Sequence, residues 1–524
     1  MTALPAFSSL DYQYAAALKA LLALLALVLL AWWYFEERRP RPRARRTRNV
    51  ALAGLGFLCL LGWANFGQFH FGGGYVHYHE FFHYYLGSKY LPELGYTGLY
   101  DCVTAVDLED GRAPDVANRW IRDLTTNELR RGSESFRIAS DCRQRFTTPG
   151  RWDAFRADVA WFRSHVSAQK WNDLLTDHGY NATPVWSVAG SLLANTGPAS
   201  SRQIWTLALI DPVLLGVMAA LIWWAFGWQV LCVALVWWGT NYPARYNFTG
   251  GAFLRQDWLL LAIAAICFAK RRWMWASGFA LTWSALLRIF PGFLAIGLAL
   301  GIVVEMWRTR SLRPAPGHLR FAGGALLALA LIFPLSFLAG GPDHSGLAGW
   351  RGFYQNSEKL LSTPLTNHVG LPVVLSFDPS TRAVRLQEYW LDSPWDMWKD
   401  ARRRVLGERR ALYYACVVGF LVLLGAAARS QEEWVVLVLG IGAIPILSEL
   451  TSYYYSILLG LAFLWPRHQI AGIGLAATAL LTALVPAVLA ADDDRYTAIS
   501  AIIVLFVVAV LLSVLLRERR TART

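Results

Sequence analysis

Apolar runs of about twenty residues recur along most of the chain, each long enough to cross roughly 30 Å of hydrocarbon as a helix. Short charged segments separate them. The pattern predicts spans at 15–34, about 50–69, 204–226, 228–240, 256–270, 273–288, 290–306, 320–339, 411–427, 433–449, 452–465, 469–490 and 497–516. The first of these is too long and too rich in Leu and Trp for a cleaved signal segment, and no A-x-A site follows it. Two stretches lack such runs and read as loops, about 70–203 and about 340–409. Inside the first loop, Trp152, Phe155, Val159 and Phe162 fall at helical spacing. They predict an amphipathic helix within 151–175, lying on the membrane face or covering the loop's own core. The expected fold is therefore an all-α polytopic membrane protein of about 13 transmembrane helices with a large first loop.

Composition agrees with that reading. Of 524 residues 55% are hydrophobic and 25 are Trp. The net charge of +13 does not argue for nucleic acid, because the basic residues cluster at the ends of apolar runs, where they set topology. EERRPRPRARRTR after the first span, Lys270 to Arg272, RTRSLRPAPGHLR (308–320) and the terminal RERRTART all belong inside. This orientation puts the N-terminus and both loops on the extracytoplasmic side of a bacterial inner (plasma) membrane, and the C-terminus inside. Arg402, Arg403, Arg404, Arg409 and Arg410 are the exception, standing on what should be the outer side. The chain divides into an N-terminal span and basic linker (1–49), a membrane core with its loop (50–340, loop 70–203), a second loop (341–410) and C-terminal spans (411–524). Cys59, Cys232, Cys267 and Cys416 sit inside apolar spans, whereas Cys102 and Cys142 lie in the long loop. In an oxidising compartment the latter two can form a disulfide worth about 3–4 kcal/mol in the chain-entropy model.

The densest chemistry stands in FGGGYVHYHEFFHYYLGSKYLPELGYTGLYD, residues 71–101, directly after the second span. A Gly-rich approach (Gly72, Gly73, Gly74) precedes His77, His79, Glu80 and His83. Ionisable residues this dense at a membrane edge mark a functional site. His79-Glu80-Phe81-Phe82-His83 matches HExxH, which on a helix places two His on one face for a zinc ion with Glu as general base. The third ligand stands in no recognisable pattern, although Glu93, Asp101 and Glu109 are nearby. The acids inside spans, Asp211 and Asp257, lack the context an intramembrane metalloprotease needs. The histidines also read as part of an interfacial aromatic belt. For Glu80 that reading is weaker, because a carboxylate among aromatic rings needs a partner. A transporter of lipid-linked sugars would usually show internal repeats and interrupted spans, and neither is visible here.

Glycosyl transfer from a lipid-phosphate donor needs a carboxylate to take the acceptor's proton and cations to hold the departing phosphate. Arg245 and Arg255 flank NFTGGAF, and Arg288 stands in SALLRIFPGF. Four segments carry a resemblance. These are Glu80-Phe81 with Tyr84 and LPELGYTGLY ending at Tyr100; ATPVWSVAGSLLANTGPASSRQIW (182–205); TGGAFLRQDWLLLAIAAICFAKRRWMWASGFALTWSALLRIFPGFL (249–294); and WRGFYQNSEKL (350–360) with SELTSYYYSILL (448–459). Together, over about three-quarters of the chain, they resemble the GT-C class of polyprenyl-phosphate-sugar-dependent glycosyltransferases, in its bacterial mannosyltransferase-like branch. The resemblance implies a GT-C-like fold, with Glu80 as base and Arg288 with Arg245 or Arg255 on the donor phosphate. Gln256 and Tyr454 would be substrate contacts, and His79 or His83 would orient Glu80. It further implies a polyprenyl-phosphate-linked sugar donor, with mannose or another hexose or pentose, and a lipid, glycan or protein acceptor. It leaves open a divalent metal. Membrane zinc proteolysis through His79 and His83, and transport of a lipid-linked sugar, are the alternatives. The chain departs from the branch in having Glu80 for the usual aspartate, Tyr454-Tyr455 for a His-Tyr pair, an extra N-terminal span and a longer first loop.

Overall fold

A computed structural model describes residues 11–41, 43–71, 74–311, 314–340, 346–388, 394–429 and 431–521. The chain is mostly helical, with two two-stranded pairings as its sheet. Among the described residues seven helices are long and apolar enough to cross a bilayer: Tyr12–Glu36, Ser201–Phe226, Phe290–Thr309, Pro316–Ala339, Arg410–Ala428, Gln469–Val488 and Asp492–Arg517. The remaining expected spans also fall on helices, but shorter or more polar ones. Arg45–Trp63 starts within the basic linker, and Trp228–Thr240, Asp257–Lys270 and Met274–Leu287 have 13, 14 and 14 residues. At 1.5 Å per residue such helices reach only about 20 Å. The run at 433–449 is broken between Gly440 and Ala443, and 452–465 winds as a 3-10 helix, Ser452–Leu464.

Small residues bring the helices together. The position a Cβ on Gly239 would take lies 1.9 Å from the Cys59 carbonyl oxygen of Arg45–Trp63. Gly278 and Gly324 stand in the same relation to Phe321 and Trp275, so Met274–Leu287 and Pro316–Leu335 touch backbone to backbone. Close approach of this kind is how helices associate where apolar burial offers no preference over lipid. The first span, α1 (Tyr12–Glu36), packs on α2 (Arg45–Trp63) and on Gln469–Val488.

The long loop is a folded lobe. Helix α3 (Tyr78–Lys89) runs through its centre, with Phe81, Phe82 and Tyr85 fully buried. A hairpin pairs Trp120–Arg122 with Leu129–Arg131, and Cys102 is disulfide-bonded to Cys142 with their Cα atoms 5.3 Å apart. The amphipathic stretch forms two helices, Arg151–Ser164 and Ala168–Leu174. Trp152, Phe155, Val159 and Phe162 are all buried, so the stretch covers the lobe's own core. The second loop contributes Gly346–Leu361 and Asp396–Glu408. It also gives partners to three of the five exceptional arginines. Arg402 is buried and bonded to Ser376 and Glu449, Arg409 donates to the Leu375 and Phe377 carbonyls, and Arg403 pairs with Asp400.

Candidate functional site

Helix α3 starts where its sequence says it should. His77 is the N-cap, its Nδ1 accepting the Glu80 backbone N–H at 3.3 Å while its Nε2 donates to the Asn247 carbonyl. That cap leaves Glu80 in the first turn, where the helix dipole favours a carboxylate. Glu80 opens onto a cavity of about 610 Å³ lined by the lobe, the second loop and the ends of the membrane helices. His79, His83, Arg255, Arg288 and Tyr454 line the same cavity.

Two arginines share the cavity with Glu80. The Arg255 Nε lies 2.9 Å from the Glu80 Oε2, and the Arg255 side chain is only 2% exposed. Its Nη2 donates to the Tyr453 hydroxyl at 3.2 Å, and its plane lies over the Tyr84 ring. Asp211, on Ser201–Phe226, fixes the backbone here by accepting the N–H groups of Arg255 (2.9 Å) and Gln256 (3.1 Å). Arg288 follows Met274–Leu287 in extended conformation and spends one N–H on the Leu287 carbonyl. Among the described residues no hydrogen-bond partner meets Arg255 Nη1, Arg288 Nε or Arg288 Nη2, and all three are buried. Tyr84 lies between the two guanidinium groups, its hydroxyl donating to Asn181. Burial pushes the Tyr84 phenol up to about 12, so it remains a neutral donor.

The histidines are committed elsewhere. His83 is 2% exposed; its Nδ1 lies 2.8 Å from the His79 carbonyl oxygen, and its Nε2 lies 2.8 Å from the Tyr100 hydroxyl and 3.2 Å from the Leu174 carbonyl oxygen. Burial lowers its pKa to about 4, so the ring is neutral. His79 donates from Nε2 to Asp177 at 2.8 Å. Burial raises the Asp177 carboxyl, but the hydrogen bond from His79 and the surrounding imidazoles outweigh it and hold the group well below the usual range. His79, His83 and Asp177 could gather around a metal ion, their ligand atoms lying within 4.8 Å of one another. As placed, both His83 ring nitrogens lie within hydrogen-bond reach of other groups of the lobe, and Glu80 pairs with Arg255. Asp177, and not Glu80, is the carboxylate beside the two histidines.

Two expected site residues lie apart. The Gln256 side chain is 4% exposed and bonds Thr249, behind the cavity wall. Arg245 lines a separate cleft with Lys19 and Tyr242. Of the Tyr454-Tyr455 pair only Tyr454 lines the cavity, packed on Phe290 and Trp258, while the Tyr455 hydroxyl is buried on the Val369 carbonyl. Sequence reasoning missed Asp177, Tyr453 and the pair His368 and Glu449, 3.3 Å apart and both lining the cavity. Glu449, held also by Arg402, stood inside SELTSYYYSILL, a segment already singled out. Gly72 and Gly73 lie outside the described residues.

Fold and site define a polytopic helical membrane protein with a carboxylate and two arginines in one cavity, between the loops and the helix ends. No family model, no curated protein and no solved structure matches the chain.

Proposed function

We propose that the chain is a GT-C-type glycosyltransferase of about thirteen spans, with its cavity on the extracytoplasmic side of the inner membrane. It moves a sugar from a polyprenyl-phosphate donor to a hydroxyl of a lipid, glycan or protein. The observation that carries this reading is a set of buried arginine N–H groups without acceptors. Arg255, paired with Glu80, and Arg288 line one cavity, and three of their guanidinium nitrogens lack a hydrogen-bond partner among the described residues. Buried arginine N–H groups without an acceptor are costly, and a phosphate offers the oxygens to satisfy them. The rim beside Arg288 is apolar, with Phe290, Phe293 and Leu360 lining it and Ile289 and Leu361 61% and 74% exposed. A polyprenyl tail suits that rim.

In the mechanism, Glu80 takes the acceptor's hydroxyl proton as its oxygen attacks the sugar's anomeric carbon. The bond from that carbon to the phosphate oxygen breaks, and the electron pair leaves on the phosphate, held by Arg255 and Arg288. Before donor arrives, Arg255 pairs with Glu80. The donor phosphate competes for the guanidinium and frees the carboxylate, so the base is released only when there is something to attack. The test is release of polyprenyl phosphate from a panel of polyprenyl-phosphate sugars by purified protein. Arg288→Met should lose at least a hundredfold in turnover while remaining folded. Unchanged turnover in that variant, or a folded wild type that consumes no donor in the panel, rejects the proposal.

A further inference from the structure

We infer that Lys19 and Arg245 form a second anion site, separate from the Glu80 cavity, that holds the phosphate of a membrane lipid. Both line one cleft with Tyr12, Asn65 and Tyr242. Lys19, on the membrane-spanning α1, is 8% exposed, and its Nζ donates to the Asn65 Oδ1 at 2.5 Å. The Arg245 guanidinium lies over the rings of Tyr242 and Phe248, 4.2 and 4.6 Å from their centroids, and its buried Nη1 has no partner among the described residues. Among those residues no carboxylate comes within 4 Å of either side chain, whereas the buried Lys89, Arg119 and Arg402 each have one. An ammonium and a guanidinium withdrawn from water into one cleft, with no carboxylate beside them among the described residues, call for an anion.

Position and size narrow the ligand. Lys19 stands seven residues into α1, about 10 Å along the helix. The neighbouring face of α1 is apolar and exposed at Leu18, Leu21 and Leu25, and Tyr12 at the rim is 40% exposed. An anion reaching this depth arrives with the membrane. The cleft holds about 30 Å³, room for phosphate oxygens but not for a sugar ring. The ligand is thus a lipid phosphate, either of an anionic phospholipid or of a polyprenyl phosphate. The Asn65 Nδ2 donates to the Asn247 Oδ1 at 3.1 Å, and Asn247 lines both the cleft and the Glu80 cavity, where its carbonyl receives His77. An occupant of the cleft is therefore one residue from the cavity wall.

Delipidated full-length protein in detergent, titrated separately with dioleoylphosphatidylglycerol, undecaprenyl phosphate and dioleoylphosphatidylcholine and read by native mass spectrometry, tests the site. Wild type should bind one anionic lipid, with Lys19→Met weakening that binding at least tenfold and the charge-preserving Arg245→Lys less than threefold. Arg288→Met, in the other cavity, should leave this Lys19-dependent binding unchanged. Lys19 dependence with phosphatidylglycerol identifies a membrane phospholipid, and dependence confined to undecaprenyl phosphate identifies a carrier lipid. Should Lys19→Met misfold, Arg245→Met takes its place. Binding of both anionic lipids at wild-type strength by either folded methionine variant, or equal binding of phosphatidylcholine, overturns the inference.

Discussion

Replacing Glu80 by glutamine keeps the side chain's shape and removes its charge and basicity. General-base catalysis contributes on the order of 10²–10⁴ in rate, which at 1.36 kcal/mol per tenfold is about 3–5 kcal/mol of barrier. The stability cost should be smaller. Breaking a fully buried ion pair costs about 3–5 kcal/mol, but Glu80 is 15% exposed, and Arg255 keeps the Tyr453 hydroxyl and the Tyr84 ring as partners. A loss of about 1–2 kcal/mol is expected on those grounds. Donor contact in the proposed mechanism runs through the arginines, so KM for donor should hold while kcat falls. The assay is release of polyprenyl phosphate under saturating donor, with thermal unfolding measured on the same preparation. Glu80→Asp retains the charge but withdraws it by about one bond length, roughly 1.5 Å. It should keep more activity than glutamine, with a loss on the order of tenfold. A folded Glu80→Gln enzyme within threefold of wild-type kcat would refute the base assignment.

Protonation of His83 should destabilise the lobe. Its folded pKa, lowered by burial from 6.5 to about 4, means the unfolded chain binds the proton first as pH falls. The contribution is complete above pH 6.5, is lost progressively down to pH 4, and amounts to about 3 kcal/mol. Unfolding midpoints against pH should show this slope, and His83→Asn should flatten it; an unaltered slope in that variant contradicts the burial argument. Opening the Cys102–Cys142 bridge by a double serine substitution removes a cross-link between residues 40 apart, worth about 4 kcal/mol of chain entropy. Reducing agent should lower the wild-type unfolding temperature and leave the double variant unmoved. Elemental analysis should find well under one zinc per chain, with transfer surviving chelation, because both His83 nitrogens are engaged within the lobe. Stoichiometric zinc that disappears from His79→Ala and His83→Ala would restore the HExxH reading.

The sequence carried the helices and half of the site, and the division follows from where the information lies. Length and apolarity are local, so each apolar run could be located, yet the number of crossings is not local. Asp257–Lys270 is buried among other helices, and a bundle can hold a 14-residue helix that lipid alone would not select. Glu80, Arg255 and Arg288 were legible because each stands where a segment leaves or meets a membrane helix. Arg245 was grouped with Arg255 because only ten residues separate them, and the structure puts it in a separate cleft. Between them the chain turns through Tyr246–Thr249 and through Gly251 at φ +63, where a Cβ would strike the Tyr75 carbonyl, so the two side chains emerge on opposite sides of Asn247. Asp177 and Glu449 were invisible for the opposite reason. Their partners His79 and His368 are 98 and 81 residues away, a distance no spacing rule bridges. The HExxH match is limited by the same physics. Its spacing describes one helix face, whereas Tyr100, from another helix of the lobe, occupies the nitrogen on which a zinc reading depends. A motif of five residues reports which side chains share a face, and what that face meets is decided by the rest of the fold.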